Sequence, residues 1–406
     1  MPVDFWVDNP FMPVSAPPTP VSSAKALTIV AHAAFVPIGV VTVLLSPLLP
    51  TLTARWSLNY SQAGALFTAQ FLSSTIAVLL SGILTARWGF RFAIKTGLIV
   101  MAIGVAGVLA GSRLFGLFCI VAYGAGIGLA VPAANLLVAE VNPGRRSAAL
   151  NLLNFSWSAG AVACPFLVAA AIKIHRVPVF LGMIAGVSLL VAIGVAAMPS
   201  WIREPAISRT AVGNIMSGSW KHGAFVIVAA LFFLYVGTEN SFGGWVASYA
   251  NSLGTMTRTF AVLTPSFFYS ALMLGRWFAP VMLRRIDEIR VVQGCLLLAS
   301  AGMAGLVGSH SLHGVIVSAS AAGFGLSAVY PITISLLSRE FGSEASRIGS
   351  LMFTLGNLGG ACLPWLVGAS SNRLGTLKAG LAVPLLGSLV MFFLYLRNWG
   401  PAAGES

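Results

Sequence analysis

The sequence predicts an all-α membrane protein with twelve transmembrane helices, arranged as two pseudo-symmetric six-helix bundles. Three observations predict this fold class. Of the 406 residues, 57% are hydrophobic and only 8% are charged, whereas about 25% of the residues of a soluble domain are charged. Apolar stretches of about 20 residues, long enough to cross a bilayer, follow one another along the chain. A pattern of glycines and prolines in the first half of the chain also recurs in the second half.

The predicted helices fall into two groups of six. The first group is expected at 26–50, 63–85, 92–111, 115–141, 148–172 and 178–198. The second group is expected at 225–249, 260–282, 289–307, 314–337, 348–369 and 379–396. The chain should therefore divide into a disordered cytoplasmic tail, a first bundle, a cytoplasmic connector, a second bundle and a second tail, at residues 1–25, 26–199, 200–222, 223–397 and 398–406.

The charge of the chain predicts its orientation in the membrane. A net charge of +13 could indicate nucleic acid, but the basic residues are scattered in small groups between apolar stretches. We therefore expect no nucleic-acid partner, and the lipid bilayer as the surroundings. With the N-terminus inside, 15 of the 23 lysines and arginines fall in inner loops and 7 in outer loops. Because basic loops stay in the cytoplasm during insertion, both termini should be cytoplasmic.

The cysteines predict neither a disulfide framework nor a metal site. Cys119, Cys164, Cys295 and Cys362 lie far apart in apolar stretches, with no histidine beside them. The chain also has no phosphate-binding loop, metalloprotease motif or serine-hydrolase motif, and its glycine-rich run at 124–128 lies inside a predicted helix. The sequence therefore predicts no cofactor, no bound metal and no enzymatic activity.

Seven residues of the first half recur 199 residues later without a gap. The pairs are Gly124/Gly323, Gly126/Gly325, Pro132/Pro331, Ser147/Ser346, Leu152/Leu351, Gly160/Gly359 and Pro165/Pro364. This repeat predicts that the two bundles arose by duplication. Parallel six-helix repeats that face each other, with a site between them near the membrane midplane, are a common construction of secondary transporters.

The loop between the second and third predicted helices resembles the signature loop of the major facilitator superfamily. It runs from Gly82 through Arg87 to Arg91, with Ala86 where the signature has an aspartate. Three further segments resemble the fucose–proton symporter branch of that superfamily, and they lie at 133–135, 149–151 and 235–245. The resemblance implies a monomeric carrier that works by alternating access and takes up a sugar together with protons.

The chain departs from that branch at the acids expected to carry protons. The first predicted helix has no carboxylate, and the residue four positions before Asn135 is Val131. Glu239 is the one acid deep in a predicted helix, where an ionised carboxylate costs about 3 kcal/mol or more unless it is paired or hydrated. We expect Glu239 to bind the coupling proton, with sodium as the alternative ion and an interhelical hydrogen bond as the structural alternative. His32 is a second candidate coupling residue, although simple packing explains it equally well.

Amide and aromatic side chains in the predicted helices are candidates for substrate binding. Amides exchange hydrogen bonds with hydroxyl groups, and flat rings cover the apolar faces of a sugar. The same residue types also serve interhelical packing. Because few of them are charged, the set favours a neutral polar substrate over an anion. The candidates are Gln70, Asn135, Asn154, Trp157, Tyr235, Asn240, Trp245, Tyr269, Tyr330, Asn357 and Trp365.

Charged residues near the inner helix ends are candidates for gating. In the superfamily such residues form ion pairs between helices that close the inner side. The alternative is a solvated pair, which contributes under about 1 kcal/mol. The candidates are Arg87, Arg91, Glu140, Arg146, Arg276, Glu340 and Arg347.

The sequence therefore favours a proton-coupled sugar importer of the bacterial inner membrane. Two alternatives remain open. An exporter of drugs or metabolites is weakened because Cys164, and not glycine, precedes the proline of the fifth predicted helix. A non-transporting sensor or scaffold is disfavoured because the predicted tail is short.

Overall fold

The computed structural model describes residues 21–198, 222–341 and 345–397, and it contains helices and no strand within those ranges. The helices of the first half are α1 (Val21–Val43, continued as Leu45–Trp56), α2 (Tyr60–Trp88), α3 (Phe90–Gly107), α4 (Arg113–Val141), α5 (Arg146–Lys173) and α6 (Val177–Ala196). Those of the second half are α7 (His222–Ser252), α8 (Arg258–Met282), α9 (Glu288–Gly308), α10 (Leu312–Leu326, continued as Val329–Phe341), α11 (Ala345–Leu374) and α12 (Leu377–Gly380, continued as Ala382–Leu394).

Each predicted apolar stretch overlaps one of these twelve helices, although the stretches 92–111, 178–198 and 379–396 run two to four residues past the helix ends. Eleven helical segments among the described residues are long and apolar enough to cross a membrane. The twelfth, α8, has 25 residues and includes two prolines and two arginines, which lower its apolar character. Several helices extend beyond the predicted stretches; α1, for example, begins at Val21 and α7 at His222. Hydropathy does not detect these extensions, because a helix leaving the hydrocarbon layer no longer needs apolar residues.

The predicted tails and connector fall largely outside the described residues. The described chain begins at residue 21, stops at 198, resumes at 222 and ends at 397. Residues 21–25, predicted as part of a disordered tail, are instead helical at the start of α1. The disordered state predicted for residues 1–20 and the cytoplasmic position predicted for 200–222 and 398–406 stay predictions.

Polar residues begin the helices that follow short loops. Each accepts a hydrogen bond from a backbone N–H of the first turn, which a helix cannot satisfy internally. Asn59 at the start of α2 forms a complete capping box with Gln62. The other residues that cap a helix in this way are Ser112, Thr257, Asp287, Ser311 and Thr376.

Three helices are interrupted, and each interruption lies three or four residues before a proline. Leu44 interrupts α1 before Pro47, and Leu381 interrupts α12 before Pro384. In α10 the interruption lies between Leu326 and Val329, ahead of Pro331. Proline lacks the N–H for the hydrogen bond to the residue four positions earlier, and its ring clashes with that residue's carbonyl. Proline alone does not produce an interruption, since Pro132, Pro165 and Pro364 lie inside helices that continue past them.

The repeat in the sequence corresponds to a repeat in packing. Gly160 of α5 lies against the backbone carbonyl of Val36 in α1, and Gly359 of α11 lies against the carbonyl of Phe233 in α7. A Cβ atom at either glycine would overlap that carbonyl oxygen. The corresponding helix pairs of the two halves thus use the same backbone approach, which only a residue without a side chain permits.

Candidate functional site

Hydrogen bonds that join the two halves cluster at one end of the molecule, which we call the sealed end. It contains the α1–α2 loop, the α7–α8 loop and the helix segments next to them. Ser46 donates to the carbonyl of Gly243, linking α1 to α7. Thr68 of α2 donates to the carbonyl of Ala361 in α11 at 2.8 Å. Each bond joins a hydroxyl of one half to a backbone carbonyl of the other.

Two more hydrogen bonds extend the seal to α8. Ser266 donates to the carbonyl of Val162 in α5 at 3.1 Å. Arg258, at the start of α8, donates to the hydroxyl of Thr51 at 3.0 Å. The halves are thus joined at this end along the α1–α7, α2–α11 and α5–α8 contacts.

Small residues bring the backbones of the two halves close together at the sealed end. A Cβ atom added to Gly64 of α2 would lie 3.0 Å from the Cα of Trp365 in α11. Gly368, further along α11, lies against the carbonyl of Tyr60 in the first turn of α2. The backbones of α2 and α11 are thus in direct contact at Gly64 and Gly368.

The halves separate towards the opposite end, which we call the open end. One stripe of α5 shows the change, because its members are spaced three or four residues apart and face the same way. Ala161 and Ser158 of this stripe are buried, whereas Asn154 and Asn151 are exposed. Gly82 of α2 likewise has no atom within 4 Å of an added Cβ. We infer from these exposures that the two halves separate at this end, and we call the space between them the cavity.

A pair of opposite charges joins α7 and α8, about halfway along α7 and about three quarters of the way along α8. The Oε2 atom of Glu239 and the Nη2 atom of Arg276 are 3.9 Å apart. Arg276 also donates from Nη2 to the hydroxyl of Tyr235 at 3.2 Å. Glu239 is 8% exposed, whereas the side chain of Arg276 is 27% exposed. The pair therefore belongs to the second half, with the arginine as its more accessible member.

The interruption of α10 lies next to this pair. Gly275 of α8 lies so close to Ser327 that an added Cβ atom would overlap the serine hydroxyl. Tyr330 starts the second piece of α10, and its ring lies 5.4 Å from the ring of Tyr235. Two tyrosines and the guanidinium are thus placed side by side, where backbone at the interruption replaces regular helix. Irregular backbone at membrane depth is tolerated where it is buried in protein or lines a cavity.

The charged pair allows an acid to remain in the membrane interior. An unpaired charge there is strongly unfavourable, and the opposite charge offsets much of that penalty. The Tyr235 hydroxyl also accepts a hydrogen bond from Arg276, so the guanidinium contacts both residues of α7.

The candidate residues of the first half have different environments. Gln70 is buried, donating to the carbonyl of Thr42 and accepting from the hydroxyl of Tyr123, so both ends of its amide are used in packing. Asn135 is partly buried and Asn154 exposed, and each donates to a carbonyl of its own helix. Trp157 donates weakly, at 3.4 Å, to the Thr42 hydroxyl.

His32 connects α1 to α5. Its Nδ1 atom lies 2.7 Å from the hydroxyl of Ser156. Its Nε2 atom is buried and has no hydrogen-bond partner among the described residues. His32 is therefore a packed residue of the first half that keeps one ring nitrogen unused.

The candidate aromatic residues of the second half separate into two groups. Trp245 is buried at the sealed end, where it donates to the carbonyl of Pro364 at 2.9 Å. Trp365 is 43% exposed and lines a cleft of about 390 Å³ with Thr68 and Cys362, away from the charged pair. Tyr235 and Tyr330 adjoin Arg276, as described above.

Three further candidates of the second half lie on α7, α8 and α11. Tyr269 is buried, with its hydroxyl against Gly243. Asn240 is partly exposed and donates to a carbonyl of α7. Asn357 is also partly exposed. The two asparagines are thus accessible, while the tyrosine is enclosed.

The candidate gating residues lie at the open end, with one exception. Glu140 and Arg146 form an exposed ion pair at 3.2 Å between the end of α4 and the start of α5. Arg91 donates to the carbonyl of Met198 at 3.4 Å, within the first half. The exception is Arg276, which pairs with Glu239.

Three gating candidates remain, Arg87, Glu340 and Arg347. The Arg87 guanidinium lies 5.3 Å from the ring centroid of Trp88. Glu340 is exposed at the end of α10. The side chain of Arg347 lies outside the described part of the structure.

The pairing of Arg276 was not predicted, although the sequence contained a signal for it. Helices α7 and α8 are antiparallel neighbours joined by a short loop. Tyr235 lies 17 residues before the end of α7 at Ser252, and Arg276 lies 18 residues after the start of α8 at Arg258. Counting from the loop would have placed these residues at the same depth.

Two six-helix repeats that are joined at one end and apart at the other form an arrangement typical of secondary transporters. A family model described as Major Facilitator Superfamily matches residues 32–364. The chain therefore belongs to the Major Facilitator Superfamily, whose members are transporters and not enzymes, and both the predicted superfamily and the predicted fold are confirmed.

Relatives and solved structures agree with this assignment. The chain is 26% identical over 358 residues to the glucose/galactose transporter of Brucella abortus, covering 83% of this chain and 85% of the relative. Its fold is similar to that of a bacterial homolog of the human lysosomal transporter Spinster, in an inward-facing and occupied conformation, with a TM-score of 0.73, 15% identity, and coverage of 96% of this chain and 100% of that one. The E. coli fucose:proton symporter gives a TM-score of 0.64 and 19% identity, covering 93% and 100%.

Proposed function

We propose that this carrier imports a sugar or a similar hydroxyl-rich molecule across a bacterial inner membrane, together with protons that bind Glu239. The observation that carries the proposal is the Glu239–Arg276 pair beside the cavity. The name of the Brucella relative supports the sugar class. The exposed and partly exposed amides of Asn154, Asn240 and Asn357 supply hydrogen-bonding groups for hydroxyls.

Proton binding would couple the charge of the site to its movement. With Glu239 ionised, the Glu239–Arg276 pair is close to neutral. With Glu239 protonated, Arg276 loses its counter-charge and becomes available to a substrate in the cavity. Uptake of the proton would therefore favour substrate binding, and release of both on the other side would restore the pair.

The charge pair favours a proton over sodium as the coupling ion. A sodium ion bound by Glu239 would lie within a few ångströms of the Arg276 guanidinium, and like charges at that distance repel each other strongly. A proton adds no separate cation to the site, because it neutralises the carboxylate.

We propose that the open end faces the cytoplasm. Arg145, Arg146, Arg284 and Arg285 are exposed at this end, where the loops with more lysine and arginine lie. Since basic loops stay inside during insertion, this orientation follows from the charge distribution. Both termini would then be cytoplasmic, and the conformation described here would be the one that releases an imported substrate. Because the cavity lies within one chain, transport needs only a monomer.

Counterflow in proteoliposomes tests the proposal. Vesicles loaded with unlabelled hexose and supplied with labelled hexose at symmetric pH should accumulate label with both the parent protein and Glu239→Gln, since exchange requires only a moving binding site. Under an inward proton gradient, the parent should accumulate substrate and Glu239→Gln should not. Asp287→Asn is the matched control, because it removes an exposed acid at the open end while the asparagine can still cap α9. Full proton-driven accumulation by Glu239→Gln would contradict the coupling role, and transport confined to amphipathic cations would favour the exporter alternative.

A further inference from the structure

The guanidinium of Arg276 has hydrogen-bonding capacity that the protein does not use. A guanidinium has five N–H donors in a planar fork. Among the described residues, Arg276 makes one side-chain hydrogen bond, to the Tyr235 hydroxyl at 3.2 Å. The oxygen of Glu239 at 3.9 Å attracts it electrostatically but is beyond hydrogen-bond distance. Most of the donors therefore have no protein acceptor.

Part of the Arg276 side chain is exposed. The side chain of Arg276 is 27% exposed even though it lies well inside α8. A buried donor without a partner is unfavourable, so the unused donors of a cavity arginine must be satisfied by water or by a bound molecule. A planar fork matches the two oxygens of a carboxylate, which accept two parallel hydrogen bonds.

The groups around Arg276 suit the rest of a sugar. The rings of Tyr330 and Phe353 have centroids 6.5 Å apart, and Phe353 is 45% exposed. Flat rings beside a guanidinium can cover the apolar face of a pyranose whose acidic end reaches the arginine. The partly exposed amide of Asn240, one residue after Glu239, can bond to hydroxyls.

The charge of the site favours a substrate with one negative charge. Glu239 is the one acid in the interior of the described helices. Once it carries a proton, as in the proposed function on which this step rests, the site has a net positive charge at mid-membrane. A neutral sugar leaves that charge uncompensated, whereas a monoanion neutralises it.

We infer that the substrate is a sugar acid, a polyhydroxylated molecule with one carboxylate, and that Arg276 binds this carboxylate. The uneven distribution of the charged and aromatic groups between the halves supports this assignment. Aligning α1 with α7 through Phe35/Phe233 and Gly39/Gly237, an offset of 198 residues, places Val41 opposite Glu239. The carboxylate is therefore bound by the second half, and the first half contributes hydroxyl and amide groups.

Counterflow with paired substrates tests this inference. Labelled D-glucuronate and D-gluconate are compared with D-glucose and D-sorbitol in vesicles of the parent protein, at symmetric pH and with the membrane potential clamped. We expect the acids to exchange at least ten-fold faster than the neutral compounds. Arg276→Gln should reduce acid exchange about ten-fold or more, the loss expected when a charge-assisted hydrogen-bond pair is removed. Arg276→Lys should retain part of it, and Arg113→Gln, which changes an exposed arginine at the sealed end, should retain all of it.

A second variant keeps the test decisive if Arg276→Gln does not fold. The double variant Glu239→Gln/Arg276→Gln removes both charges together, so that neither is left unpaired in the membrane. We expect this double variant to exchange D-glucose at least as fast as D-glucuronate. Equal preference for the acid in the parent and the double variant, or faster exchange of neutral hexose by the parent, would overturn the inference and leave the proposed function intact. Absence of exchange for all four compounds would overturn both.

Discussion

Removing one charge of the Glu239–Arg276 pair should destabilise the protein more than removing both. At 3.9 Å and an effective dielectric constant of about 20, the attraction between the two charges is about 4 kcal/mol. Desolvation offsets part of this value, and the partial exposure of Arg276 lets water compensate further. We therefore expect a loss of about 2–3 kcal/mol of stability for Arg276→Gln, and a loss at least 1 kcal/mol smaller for the double variant with Glu239→Gln.

The native cysteines provide the assay. Cys119, Cys164 and Cys295 are buried, so a thiol-reactive fluorophore reports their exposure as the detergent-solubilised protein is heated. For one six-helix bundle, a loss of 2 kcal/mol corresponds to a decrease in Tm of about 5 °C. The exposed Cys362 gives a constant background, which Cys362→Ser removes.

One result would refute the reasoning about the pair. If the double variant melts at the temperature expected from adding the two single decreases, Glu239 and Arg276 do not interact. A distance of 3.9 Å would then represent proximity without energetic coupling. Comparing the two single variants with the double variant is informative, because residues without contact normally give additive changes in stability.

Three further predictions concern packing and gating. Gly359→Ala should lower the Tm markedly, because the new methyl group overlaps a carbonyl of α7. Gly182→Ala should leave the Tm unchanged, because no atom lies within 4 Å of the added methyl group. Equal Tm values for the two variants would contradict the packing argument. Gln70→Leu should lower stability by about 1–3 kcal/mol through an unsatisfied buried hydroxyl while leaving the substrate KM unchanged, and a raised KM with normal stability would instead indicate substrate contact. The double variant Thr51→Cys/Arg258→Cys, made in a Cys362→Ser background, should lose counterflow when a short bismaleimide links the two cysteines, because transport requires the sealed end to open. Each single-cysteine variant is the control. Undiminished counterflow in the linked protein would show that this end does not open.

The sequence predicted the helices well because the membrane imposes one dominant requirement on them. About 20 apolar residues are needed to cross the hydrocarbon layer, and that requirement is visible residue by residue. Helix ends were less predictable, since Val21 and His222 lie outside the apolar stretches. The interruptions of α1, α10 and α12 were not predicted, because Pro132, Pro165 and Pro364 show that a proline can also lie inside a continuous helix.

The candidate site was only partly predictable because side-chain type does not specify surroundings. The depth of Glu239 in α7 could be predicted, since depth follows from position along a helix. The environments of Gln70, Trp245 and Trp365 could not, because buried packing, cavity lining and lipid contact all use amides and aromatic rings. Which face of a helix meets which neighbour is determined by packing of the whole bundle.

The hydroxyl-to-carbonyl bonds of the sealed end have a consequence for the turnover of the carrier. Each is a neutral hydrogen bond with a net contribution of about 1 kcal/mol, and the hydroxyls of Ser46, Thr68 and Ser266 can each turn to an acceptor on their own helix when the halves part. No charge is stranded in the membrane when such a bond breaks. A closure made of these bonds can therefore be undone and remade in every cycle at low activation cost.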